Sequence, residues 1–178
     1  NVILTPRNFL ILQLDVDAAQ LAGSELRSLL RTSTKVRCEE NRSYQCLQSI
    51  FEALLPFADQ LTILDVGTML ITVHAMSQNP KLKDCAWEAL FDVLRRANKL
   101  QQLRLGQIDQ LFGLATTLTQ IVCSLPLRAL YLHCDNNLDV CLIFRRLCST
   151  LVSLELEGRF GRKFDDLFAE IEQLSSEC

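Results

Sequence analysis

Little in this 178-residue chain supports catalysis or metal chemistry: it has two histidines, no C-x-x-C pair among its eight cysteines, and no G-x-x-x-x-G-K-[ST], G-x-S-x-G or H-E-x-x-H motif. Those absences remove the common phosphate cradle, the nucleophile elbow and the zinc-binding helix. No apolar run approaches the ~18 to 20 residues that a membrane-spanning helix needs. Asn1 to Arg7 has no basic segment ahead of a long apolar stretch, so it is not expected to be a secretory leader. Charge of one sign is missing too. Lys and Arg number 18 against 21 Asp and Glu, a net charge of -3, which gives no overall attraction to nucleic acid or an anionic membrane. The expectation is a chain without enzymatic activity, cofactor, metal, membrane contact or small-molecule substrate. An apolar content of 49% with 22% charged residues suits a single globular domain with a real core.

What is present is a repeated hexad, an apolar residue, two of any kind, an apolar residue, one of any kind, and another apolar residue. It recurs as Phe9/Leu12/Leu14, Leu61/Leu64/Val66, Leu100/Leu103/Leu105, Leu127/Leu130/Leu132 and Leu151/Leu154/Leu156, with a weaker version at Ser33/Val36/Cys38. The middle positions Leu12, Val36, Leu64, Leu103, Leu130 and Leu154 follow one another at 24, 28, 39, 27 and 24 residues. A hexad of this kind at a period of roughly 20 to 29 residues marks a stacked strand-and-helix array. Between hexads the apolar period changes from two toward 3.6, as a strand followed by a helix requires.

The spacing predicts helices over Ala18 to Leu30, over Ser43 to about Pro56, and over Asp84 to Asn98 with Trp87, Leu90, Phe91 and Leu94 inward. A fourth runs from Gln107 to Ser124 and is stopped by Pro126; a fifth spans Leu138 to Cys148, with Leu142 among its apolar residues. The last starts near Lys163 and carries Phe164, Leu167, Phe168, Ile171 and Leu174. Position nine of each repeat is held by Asp17, Asn41, Met69, Ile108, Asp135 and Arg159, of which three are Asn or Asp, side chains that bond turn backbone.

On these hexads and position-nine residues the chain resembles the intracellular leucine-rich repeat superfamily, of the ribonuclease-inhibitor and F-box-associated kinds. The resemblance runs from Phe9 to about Leu174. It implies an α/β solenoid of about six repeats, with a curved parallel sheet on the concave face and helices on the convex face. Members of that superfamily act as ubiquitin-ligase substrate receptors, inhibitors, GTPase-activating proteins, messenger-RNA export factors and scaffolds, and the fold does not choose among them. Residues 1–178 are read as one such domain and as a piece of a longer chain, because the sequence opens almost on a strand with no polar cover before it. No F-box-like segment precedes the repeats. Nor are the paired cysteines of disulfide-stapled caps seen at either end, so the scattered cysteines are expected to be free, buried or half-buried thiols in a cytoplasmic or nuclear protein.

Alternation along the strands assigns the candidate contact residues, since those one before, one after and three after each middle position share the face opposite the hexads. This puts Lys35, Arg37, Asp65, Gln102, Arg104, Tyr131, His133, Glu155 and Glu157 on one surface, roughly 20 Å across at ~4.8 Å per strand. Such a mixed surface with Tyr and Arg suits a protein partner, and adaptor or receptor is the leading expectation. The alternatives are an RNA-associated adaptor resting on Lys35, Arg37 and Arg104, and a GTPase-activating solenoid supplying Arg104. His133 adjoins Cys134 and Asp135, but three consecutive residues cannot all face one ion. Thr68 to Lys83 makes one offset, 39 residues, about eleven longer than the mean. Its apolar character makes Met69, Leu70 and Met76 a second candidate contact, or else an extra piece of core.

Overall fold

Each hexad that falls among the described residues becomes a strand, and a helix follows four of them. The computed structural model describes residues 2–4, 10–13, 28, 31–39, 44–67, 80–106, 114–133, 139–158, 169, 172 and 173. In chain order the elements are β1 (Val2–Leu4), β2 (Leu10–Gln13), β3 (Lys35–Glu39), α1 (Tyr44–Leu54), a 3-10 turn (Leu55–Gln60), β4 (Ile63–Val66) and α2 (Pro80–Arg96). They continue with β5 (Gln102–Leu105), α3 (Ala115–Ser124), β6 (Ala129–His133), α4 (Val140–Leu147) and β7 (Ser153–Glu157). The protein is therefore an α/β fold in which parallel strands alternate with helices. All seven described strands form one sheet in the order of the chain, and β2 to β7 are parallel.

β1 departs from the expected all-parallel sheet by pairing antiparallel with β2, Val2 opposite Leu12 and Leu4 opposite Leu10. A connection as short as the one from Leu4 to Leu10 can join only antiparallel neighbours, because a parallel pair needs a crossover of a dozen residues or more. An apolar run of three carries no readable period, which is why the sequence pattern does not announce this strand.

The hexads build the core. Val36, Leu64, Leu103 and Leu130 stand opposite one another across four strands and are buried. Leu61, Val66, Leu100, Leu105, Leu127 and Leu132 are buried beside them. Main-chain bonds lock this register: Thr34 O accepts from Thr62 N (2.7 Å) and Ile63 N (3.2 Å), and Thr62 O accepts from Gln101 N (2.9 Å) and Gln102 N (3.1 Å). Gln101 O takes the N–H groups of Arg128 and Ala129, and Arg128 O those of Val152 and Ser153. One carbonyl thus holds the entry of the next strand at four successive junctions.

The described helices cover the hexad side of the sheet. α1 contributes Leu47, Ile50, Phe51 and Leu54, and α2 contributes Trp87, Leu90, Phe91 and Leu94, all buried in the same cluster. α1 gives way to the 3-10 turn where Pro56 enters; a proline has no N–H to donate and fits the first turn of the tighter helix. α2 starts at Pro80, four residues ahead of the expected Asp84, with proline in the first-turn position it favours. Residues 80–83 of the long connection therefore belong to a helix. α4 is capped by Asp139, whose carboxylate accepts from Leu142 N at 2.9 Å. Its inward face is Val140, Ile143 and Leu147, whereas Leu142 is exposed. Of the helix expected over Ala18 to Leu30 only Ser28 is described, and of that expected from Lys163 only Ala169, Glu172 and Gln173; all four are helical. The first turns of the helix expected from Gln107 and all six position-nine residues lie outside the described residues.

Truncating Leu103, fully buried in the central strand, removes methyl groups from a site hemmed in on both sides. Leu103→Ala is expected to lower the unfolding free energy by about 2 to 5 kcal/mol in denaturant titration; an unchanged midpoint would place that residue outside the core.

Candidate binding surface

Alternation turns every second side chain of these strands away from the helices, and register lines those side chains up. Arg37, Asp65, Arg104, Tyr131 and Glu155 are paired in one row across β3 to β7. Lys35, Ile63, Gln102, Ala129 and Ser153 form the row before it, and His133 stands opposite Glu157 in the row after. The structure thus brings nine of the sequence-predicted contact residues onto one face. Met69, Leu70 and Met76 lie outside the described residues.

Within the rows the side chains bond to one another. Arg37 Nε donates to Asp65 Oδ2 at 2.8 Å, and Asp65 Oδ1 accepts the main-chain N–H of Gly67 at 3.2 Å. Asp65 is in consequence only 9% exposed. It ties two strands together and closes the end of β4. The guanidinium of Arg104 lies over the Tyr131 ring, 4.0 Å from its centroid, a contact worth roughly 0.5 to 1 kcal/mol at an exposed site. Tyr131 is left 8% exposed. Its hydroxyl donates to Glu157 Oε2. The face expected to offer Tyr131 as a bare aromatic anchor offers Arg104 stacked upon it.

Two glycines make this arrangement possible. A Cβ on Gly67 would lie 3.1 Å from both Cγ and Nε of Arg104, and a Cβ on Gly106 would lie 1.7 Å from the carbonyl oxygen of Gly67. The chain ends of β4 and β5 therefore approach backbone to backbone, and only glycine at position 106 permits it. Gly106→Ala is expected to force those ends apart and cost about 1 to 3 kcal/mol of stability, the usual penalty of overpacking, read by thermal or denaturant unfolding.

Glu155 and Glu157 have no histidine near them in sequence, yet register brings His133 opposite Glu157. His133 Nδ1 is 3.5 Å from Glu157 Oε2, beyond hydrogen-bond length, and that nitrogen is buried without a hydrogen-bond partner. The signal was available, since His133 and Glu157 both stand three places after their middle leucines. A carboxylate beside an imidazole resembles half of an acid/base apparatus. Here, however, the Glu157 side chain is 60% exposed, and a pair open to water lacks the low dielectric that gives such groups catalytic strength. Among the described residues no group of three His, Cys, Asp or Glu could hold a metal ion.

Cys85, Cys123, Cys141 and Cys148 are free thiols. Cys85 is exposed on α2, unlike the buried or half-buried thiols expected, and burial pushes the Cys123 thiol up. No helix among the described residues is long and apolar enough to cross a membrane. Comparison of this chain with protein-family models, with curated proteins and with solved structures returned no match.

The hydroxyl of Tyr131 holds the Glu157 carboxyl below its usual range, with burial opposing and His133 and Arg104 adding to the lowering. Burial first, then the bond to Glu157, hold the Tyr131 phenol above its ordinary value. A carboxylate with a depressed folded-state pKa contributes stability that is present above its unfolded value and lost as pH falls through the folded one. The excess urea midpoint of the native protein over Glu157→Gln is therefore expected to hold steady from pH 7 to about 5 and to shrink below about pH 4.3. An excess independent of pH would mean that the Tyr131 to Glu157 bond does not form.

Proposed function

We propose that residues 1–178 form a leucine-rich repeat solenoid that binds protein partners through the sheet face opposite its helices, acting as an adaptor or partner receptor and not as an enzyme. What supports the solenoid reading is repetition: hexads paired in register, strands added in chain order, and the same main-chain bond at four junctions. One observation carries the functional reading. The row from Arg37 to Glu155 crosses five neighbouring strands on a face to which no described helix contributes buried core, about 19 Å at ~4.8 Å per strand step. That length suits a protein helix or an extended segment better than a small metabolite. The 68–83 connection is proposed as a second contact, and a reducing compartment, cytoplasm or nucleus, suits the free thiols.

An RNA-associated role is less well supported, because Arg37 is engaged by Asp65 and Arg104 by Tyr131, while Glu155 and Glu157 would repel phosphate. Salt separates the two readings: phosphate contacts weaken steeply as ionic strength rises. A GTPase-activating role would need an arginine free to reach a nucleotide, and Arg104 is stacked on the sheet.

Arginine anchors carry much of the energy at protein interfaces. For a partner captured by the native domain and identified by mass spectrometry, Arg104→Ala is expected to weaken the purified complex by at least about 1 kcal/mol while lowering the unfolding free energy by no more than about 1 kcal/mol, the worth of its contact with Tyr131. Tyr131→Ala is a poorer probe than it looks from sequence, since it removes buried surface as well. Equal affinity for Arg104→Ala, with losses only on substituting helix residues such as Arg95, would overturn the proposed site.

A further inference from the structure

At β7 the hexad is incompletely covered. Leu61, Leu100, Leu127, Leu103, Leu105 and Leu132 are fully buried, whereas Leu151, Leu154 and Leu156 at the same places in the last hexad are half-buried. Val152 is 84% exposed. Among the described residues no strand pairs with β7 on the side away from β6. Ser153 N donates to Arg128 O of the preceding repeat, and main-chain groups in a parallel ladder turn alternately to one neighbour and the other. The N–H and C=O groups of Leu154 and Leu156 and the carbonyl of Val152 therefore point to the outer edge. Val152 holds the place of Thr34, Thr62, Gln101 and Arg128, whose carbonyls each take two N–H groups of the next strand. Sheet edges are commonly guarded by lysine, proline or a bulge. Ser153–Glu157 has no lysine or proline, and its register with β6 is unbroken.

We infer that the outer edge of β7 takes an extended segment of a partner protein as an added parallel strand, with apolar residues beside Leu154 and Leu156 and a basic residue between them beside Glu155. The four earlier junctions supply the register, with the entry of the added strand on the Val152 carbonyl. Charge selects the segment. Glu155 is exposed and, among the described residues, has no cation within ion-pair distance, and the Glu157 side chain next to it on the same face is 60% exposed. A second copy offering its own β7 would bring carboxylates to that face, and like charges side by side oppose pairing. In strand addition the main-chain bonds supply affinity and the alternate side chains supply specificity. This edge is distinct from the row across the open face, although Glu155 belongs to both.

The probe is a soluble peptide of about eight residues, alternating valine and lysine, a usual strand length, titrated into the purified protein by fluorescence anisotropy. In the free protein the amides of Leu154 and Leu156 are expected to exchange with solvent faster than those of Leu130 and Leu132, and to slow when the peptide binds. In a parallel pair the lysine N–H groups face β7, and in an antiparallel pair the valine N–H groups do. N-methylation of the lysines should therefore weaken binding at least about tenfold, while N-methylation of the valines leaves it unchanged. Glu155→Lys should lose the lysine peptide and gain its glutamate counterpart; should that variant not fold, Glu155→Gln is expected to bind the lysine peptide several-fold more weakly. Arg104→Ala should bind it normally. Loss on methylating the valines instead, equal binding of both methylated peptides, or binding lost only in Arg104→Ala would overturn the inference, the last placing the peptide on the open face. Protection of the Leu154 and Leu156 amides in the free protein, or no binding at all, would overturn it as well.

Discussion

Alternation along a strand is the constraint from which the open surface follows. Val36, Leu64, Leu103, Leu130 and Leu154 stand in register because each must reach the same apolar layer under the helices. With a period of two, the residue after each one has no freedom to choose its face or its neighbour. Arg37, Asp65, Arg104, Tyr131 and Glu155 are therefore aligned by the packing of the leucines behind them. A slip of one residue at any junction would bury a charge, and the double acceptance by Thr34, Thr62, Gln101 and Arg128 carbonyls stands against it.

How much of this was legible in the sequence follows from the same constraint. The hexads located β3 to β7 and their inward residues, and the 3.6 period located α1 to α4, because both signals report burial, which dominates folding energetics. Helix starts were legible only approximately; α2 begins at Pro80 because proline is a good first-turn residue, and a hydrophobic period cannot register that. β1 escaped because three residues carry no period. On the open face, alternation could say which residues share a side but not how they bond. Asp65 and Tyr131, expected to face a partner, turn out to be buried by Arg37 and Arg104. Those burials depend on rotamers and on the space left by Gly67, neither of which has a periodic signature.

The interplay of Gly106, Gly67, Arg104 and Tyr131 links backbone to charge. Gly106 lets β4 and β5 close at their ends, Gly67 lets the Arg104 stem lie flat, and the Tyr131 ring supports the guanidinium. A long cationic side chain that would otherwise sample many rotamers is thus ordered before any partner arrives. Ordering a rotamer-rich side chain on binding costs about 0.5 to 1.5 kcal/mol, and here folding has already met that cost.

The order of the strands limits where a ligand could sit. In α/β sheets whose strand order reverses, a crevice opens at the reversal, and small ligands bind there. This sheet runs from β1 to β7 without a reversal. With crossovers of one hand the helices fall on one side, and the described strands and helices form no crevice of that kind. What remains is a face whose acid, base and aromatic groups are presented side by side, with Glu157 open to water beside His133. On the proposed binding reading, a macromolecular partner would itself bring the cover that excludes water from such a face.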